Sequence, residues 1–280
     1  MRPGIFAKIF ADGSLDASLD GVLASGVAAI QFNLALTGGP SLPDDVQPGL
    51  AARVRDSMRD RDLEMVAVSG TYNMAHPDPA VRRRGLQCLE TVVAAAPTLG
   101  TRVVTLCTGT RDPDDMWRWH PDNATPEAWS DMLDAVHGAV QIAAKHSVIL
   151  GVEPEHGNVV ADAAAARRLL DHIHSPYVKI VFDGANLIRP GELHRQTETL
   201  ERAFEVLGAD LVLAHAKDLL PNGTIVPAGH GGLDYDLYLS LLAQANYRGA
   251  VVLHGLAPED VPGSVAFLRS HLHARAPEAQ

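Results

Sequence analysis

The chain has 280 residues, 46% hydrophobic and 20% charged, with a formal net charge of −11. That composition excludes a disordered or fibrous chain, and the acidic balance opposes a nucleic-acid partner, which would need stripes of Lys and Arg. No apolar run approaches the roughly 18–20 residues that span a bilayer, no long apolar signal core follows Met1, and two cysteines (Cys88 and Cys107) cannot build a disulfide scaffold, so a cytoplasmic protein without a membrane segment is expected.

Short apolar, β-branched runs alternate with longer stretches of helical periodicity along the whole chain. Strands are expected at 4–10, 28–35, 63–71, 102–109, 148–155, 178–187, 211–218 and 249–256. Each is followed by an expected helix, at 15–26, 47–62, 78–97, 126–147, 162–174, 196–208, 234–246 and 260–275. Ser14 or Asp16 can cap the first helix, Thr125 precedes Pro126 and Glu127 as a cap, and Gly26, Gly100 and Gly208 sit where helices should stop. Residues 274–280 read as a frayed tail. Strands that are apolar throughout suit a parallel sheet covered on both faces. The expected fold is therefore α/β, a single (β/α)8 TIM barrel spanning 1–280. A doubly wound open sheet is the alternative, but the first strand leads into Phe10-Ala11-Asp12-Gly13-Ser14 and not into a glycine-rich dinucleotide turn.

Barrels of this kind build their chemistry at the C-terminal ends of the strands. Four consecutive strands here end in side chains able to bind a metal: Glu153-Pro154-Glu155-His156, then Asp183, then His215 in His215-Ala216-Lys217-Asp218, then His254. Their spacings of 30, 32 and 39 residues each correspond to one βα unit. Neighbouring strands lie about 4.8 Å apart, so Glu153, Asp183, His215 and His254 can converge on one ion. A single acidic residue at a strand end is usually a cap or a solvated loop residue. Four in register are a stronger signal.

The segments VEPE, VFDGANL and LAHAKD resemble the sugar isomerase/epimerase superfamily with the xylose isomerase-like barrel, which includes ketose 3-epimerases, hydroxypyruvate isomerase and inosose dehydratase. The resemblance follows strand order through the chain and is sharpest over 152–256. It implies one divalent metal held from strands 5 to 8 by Glu153, Asp183, His215 and a fourth ligand. That family usually carries Glu in the fourth place, where VVLHGL has His254. Two carboxylates and two neutral imidazoles balance a divalent ion, whereas three carboxylates leave the site one charge negative. The imidazoles shift the expected metal from magnesium towards manganese first, with zinc, cobalt or iron as alternatives.

The resemblance further implies proton transfer next to a carbonyl on a small polyhydroxylated, phosphorylated or unphosphorylated substrate. Glu153 is the first candidate base. His254 can replace the second glutamate as proton carrier, provided the same ring nitrogen does not bind the ion. Glu155 is either a second proton carrier or a residue that orients the ligands. Asn73, His76, Asn186 and Lys217 match loop positions that reach substrate in such barrels. In the long loop after strand 4, Arg111 and Trp117 suit a lid stacking on a sugar. The stretch Gly229-His230-Gly231-Gly232 is a weaker phosphate candidate, and Cys107 reads as a core thiol.

Loss of the second glutamate leaves a lyase of the inosose dehydratase type as the alternative to an isomerase or epimerase. A sugar-binding barrel without catalysis is a further alternative. The multi-zinc endonuclease branch of the superfamily fits poorly, because no basic face is available for DNA. A homodimer or homotetramer would match the family's habits.

Overall fold

A computed structural model describes residues 1–11 and 13–273. Ten strands and nine α-helices occur among them: β1 (Arg2–Phe6), α1 (Leu15–Ala24), β2 (Ala29–Phe32), α2 (Pro48–Arg59), β3 (Glu64–Ser69), α3 (Pro79–Leu99), β4 (Val103–Cys107), α4 (Pro126–His146), β5 (Ile149–Glu153), α5 (Ala163–Ile173), β6 (Val178–Asp183), α6 (Gly184–Leu187), α7 (Gln196–Leu207), β7 (Leu211–Ala216), β8 (Asp218–Leu219), β9 (Ile225–Val226), α8 (Tyr235–Gln244), β10 (Ala250–Leu253) and α9 (Val261–His273). Strands β1 to β7 and β10 form a closed parallel barrel. Closure is decided by β1, whose Gly4 and Ile5 pair with Val252 and Leu253 of β10 on one side and with Ala29 and Ile30 of β2 on the other. An open sheet would leave two edge strands with one neighbour each, whereas each of these eight strands has two.

The eight long helices fall within three residues of their expected bounds. Residues 274 and 275 of the last expected helix, and the expected tail, lie outside the described residues. Ser14 Oγ accepts from Ala17 N at 3.2 Å and Thr125 Oγ1 from Ala128 N at 3.2 Å, so both expected caps form. Gly100 ends α3 with φ of +108°, a conformation that side chains bearing a Cβ resist.

Strand ends depart from expectation where pairing partners run out. The expected strand 4–10 is β1 followed by a 3-10 turn over Ala7–Phe10. The expected strand 178–187 stops at Asp183, whose Oδ1 accepts from Ala185 N at 2.9 Å and turns Gly184–Leu187 into a helical turn. Beyond Ala216 the chain forms a two-stranded antiparallel ribbon, β8 with β9, over the barrel mouth.

Side chains alternate between the barrel interior and the helix layer. Ala29, Ala67, Val181, Leu213, Ala250 and Val252 fill the lower interior. One pleat higher the inward residues become polar: Gln31, Thr105, Glu153, Asp183 and His215, all buried. The apolar plug closes the barrel below, and the polar layer is the floor of what opens above.

Candidate metal centre

A cavity of about 420 Å³ opens at the C-terminal ends of the strands, lined by Gln31, Thr105, Trp117, Glu153, Glu155, His215, Lys217 and His254 among others. At its floor, one ligand atom from each of Glu153, Asp183, His215 and His254 lies within 4.8 Å of the others. The four residues come from β5, β6, β7 and the residue after β10. Tyr238 of α8 braces two of these strands from outside, its hydroxyl lying 2.9 Å from both Phe182 O and His215 O and sharing its hydrogen between them.

Each ligand candidate is held by a different neighbour. Asn186 Nδ2 donates to Glu153 Oε1 at 2.6 Å. Lys217 Nζ lies 3.3 Å from Asp183 Oδ2, and His254 Nε2 donates to the same oxygen at 2.8 Å. His215 Nε2 meets Gln31 Oε1 at 2.8 Å. An amide oxygen only accepts, so Nε2 carries the ring hydrogen and Nδ1 presents a lone pair. That Nδ1 is buried without a hydrogen bond among the described residues, 3.3 Å from Glu153 Oε2. A lone pair facing a carboxylate oxygen is repulsive unless a proton or a metal ion lies between them, and with Asp183 and His254 beside the pair these residues fit a metal ion.

The electrostatics separate Glu153, which ends β5, from Glu155 two residues beyond it. Burial works to raise Glu153, but His215 and then His254 overcome it and the carboxyl stays below its ordinary value. Burial, and then the Glu153 charge, push Glu155 up to about 7. Burial also opposes ionisation of Asp183, and is outweighed by the Lys217 ammonium and then by His254, which hold it well below the carboxylate range. Burial acts to lower Lys217, yet Asp183, Glu153 and Glu155 together keep it raised. His254 is lowered by burial first and then by Lys217, which favours the neutral ring. Cys107 is pushed well up by burial and then by Glu153, in keeping with an inert thiol.

Several expected contacts are redirected by the folded loops. Glu155 does share the cavity wall with Glu153 despite the intervening Pro154. Trp117 lines the mouth with 54% exposure. Asn73, His76 and Arg111, expected at the substrate, instead tie loops together. Asn73 Oδ1 accepts from Ala75 N and Thr110 N, His76 spans Pro113 O and Asp78 N, and Arg111 grips Asp131 at 2.7 Å and Ala75 O. Asn186 is likewise turned to Glu153 and is not among the lining residues. Lys217, expected to neutralise an oxyanion, lines the cavity with its Nζ 3.3 Å from Asp183 Oδ2.

The glycine stretch after β7 has its own anion. Asp218 accepts from Gly229 N at 3.2 Å, and from Leu219 N and Leu233 N at 2.9 Å. A Cβ on Gly231 would lie 2.3 Å from Asp218 Oδ1, so the glycine is what lets this loop close over the carboxylate. The backbone N–H groups of Gly229, His230 and Gly232 are thus already engaged within the loop and its neighbours.

Gln31 and Thr105 escaped the sequence reading. Their signal was present, since each is the single polar residue inside an otherwise apolar strand core, Ala29–Phe32 and Val103–Cys107.

Residues 19–271 match the xylose isomerase-like TIM-barrel family. The chain belongs to that family. Over 141 residues it is 25% identical to an inosose dehydratase of Bacillus thuringiensis (strain Al Hakam), a match covering 46% of this chain and 47% of that one. The chain thus spans about half the length of the curated relatives it matches. Among solved xylose isomerase-like barrels, the 3-keto-D-glucoside 4-epimerase of E. coli superposes with a TM-score of 0.74 at 18% identity, covering 96% of this chain and 99% of that one. The IolI protein with a bound zinc atom superposes with a TM-score of 0.72 at 16% identity, covering 98% and 97%. At these identities the likeness is one of fold. Among the described residues, no helix is long and apolar enough to cross a membrane, and Cys88 and Cys107 are free and buried.

Proposed function

We propose that this barrel is a divalent-metal-dependent isomerase or epimerase that moves a proton next to a carbonyl of a small polyhydroxylated substrate. The observation that carries the reading is the unspent His215 Nδ1 among Glu153, Asp183 and His254, on the floor of a cavity whose wall bears two glutamates. Those four residues would hold the ion, manganese by preference or else zinc, cobalt or iron, and once bound it supplies Lewis acidity that polarises the substrate carbonyl.

The protein's own groups divide the remaining work. Asn186 fixes Glu153 so that one carboxylate oxygen keeps its orientation towards the cavity floor. Glu153 is the first proton acceptor, and Glu155, on the same wall, receives or returns a proton at its carboxylate. Lys217 keeps Asp183 ionised. Trp117 offers an apolar face at the mouth for the carbon side of a sugar ring. His254 is the alternative proton carrier whenever its Nε2 is not a ligand.

The deciding experiment incubates the manganese- or zinc-loaded protein with a panel of ketoses in heavy water and follows deuterium at the carbon beside the carbonyl. Incorporation that disappears in Glu153→Gln supports the reading. Absence of exchange in every ketose rejects it.

A dehydratase is the second reading. It is favoured by the placement of both wall glutamates at the end of β5 and just beyond it, with an imidazole in place of a carboxylate across the cavity, and by the segmental likeness to inosose dehydratase. Elimination can reuse one proton carrier, whereas epimerisation needs carriers on both faces. Loss of water from the product, seen by mass spectrometry, separates the two.

A further inference from the structure

Gln31 and His215 stand on strands that are not neighbours in the barrel, and yet their side chains meet across its interior. Gln31 is 4% exposed, His215 3% and Thr105 3%, so none of the three can exchange its partner for bulk water. Gln31 Nε2 donates to Thr105 Oγ1 at 3.2 Å, which leaves the amide oxygen facing His215 Nε2 at 2.8 Å. A neutral imidazole has one N–H. With that hydrogen drawn to Nε2 by the amide oxygen, Nδ1 is a bare lone pair directed at the Glu153 side of the cluster.

The opposite arrangement would close the site. If the amide were turned over, its NH2 group would face Nε2, the ring hydrogen would move to Nδ1, and Nδ1–H would donate to Glu153 Oε2. Both would then be spent on each other. The amide stands in the first of these states, with Nε2 on Thr105 Oγ1 and Oε1 on His215 Nε2.

We propose that Gln31 is a positioning residue that sets the Nε2–H tautomer of His215 and thereby presents Nδ1 to a divalent cation. This rests on the cation-binding part of the reading above and not on the proton transfer. Ligating imidazoles depend on the partner of their second nitrogen, and removing such a partner weakens metal binding about 10–100-fold.

The test uses zinc alone, with affinity measured by chelator competition, and 15N spectra of the ring nitrogens of His215 in the metal-free protein. Gln31→Leu removes the acceptor and is expected to weaken zinc about 10–100-fold. Gln31→Glu, whose carboxylate can only accept, is expected to retain wild-type affinity. A purely structural role would place both variants together, because each changes the same buried side chain. The wild-type spectrum should show the hydrogen on Nε2 and needs no variant to fold. Zinc affinity unchanged in Gln31→Leu, or a wild-type spectrum with the hydrogen on Nδ1, overturns the proposal. A wild-type chain that binds no zinc overturns the metal reading instead. The ring spectrum of Gln31→Leu then decides for Gln31 if the Nε2–H state is lost and against it if that state persists.

Discussion

Lys217 and Asp183 form an ion pair almost sealed from water, with Nζ 3.3 Å from Oδ2 and side-chain exposures of 8% and 0%. Neither charge has access to solvent, so removing one leaves the other poorly compensated. Lys217→Met is expected to lower the unfolding free energy by about 3 kcal/mol, since His254 still donates to Asp183. Urea unfolding measures the loss. Added zinc should recover part of it, because a cation among the four ligands restores positive charge beside Asp183.

Asp210 ties β6 to α5 at the other end of the barrel, accepting from Lys179 Nζ at 2.6 Å and from Arg167 Nη1 at 2.9 Å. Burial raises this carboxyl, and the two cations more than reverse the effect, so its folded value is lowered. A lowered folded value means the contribution is present above the unfolded value of about 3.9 and disappears as pH falls through the folded value. Asp210→Asn should therefore cost roughly 1.5 kcal/mol at neutral pH, a difference that shrinks as the pH falls below about 3.9. Unfolding curves taken from pH 7 down to pH 2 check whether the two proteins converge.

Trp117 stands half-exposed on the cavity wall, and its backbone N–H is held by Asp115 Oδ1 at 3.0 Å. Truncating an exposed side chain changes stability by less than about 0.5 kcal/mol. Stacking on a sugar contributes about 1 kcal/mol, so Trp117→Ala should raise KM roughly five-fold with kcat nearly unchanged. Steady-state kinetics beside a melting curve test both halves. An unchanged KM would remove Trp117 from the substrate site.

Phosphorylated sugars should be poorer substrates than their free counterparts. The backbone donors of the loop after β7 bind Asp218, and the cavity wall carries Glu153 and Glu155, while Lys217 is engaged with Asp183. A phosphate entering there therefore finds no built cradle in that loop, and its kcat/KM should fall below that of the free ketose. Paired assays of a ketose and its phosphate give the ratio. A preference for the phosphate would point to Lys8, on the cavity wall, as an anion contact.

The amino-acid order by itself determined the alternation of strand and helix, the closed-barrel expectation and the four strand-end ligand candidates. These follow from local regularities: apolar runs, caps such as Ser14 and Thr125, and chemistry recurring once per βα unit. Tertiary structure alone decided which polar side chains face the cavity. Asn73, His76, Arg111 and Asn186 are each consumed by partners 33 or more residues away or by turns of their own loop. Gln31, by contrast, reaches a histidine 184 residues distant. Such pairings depend on barrel closure bringing separate strands to one axis, and no local pattern encodes which donor will find which acceptor there.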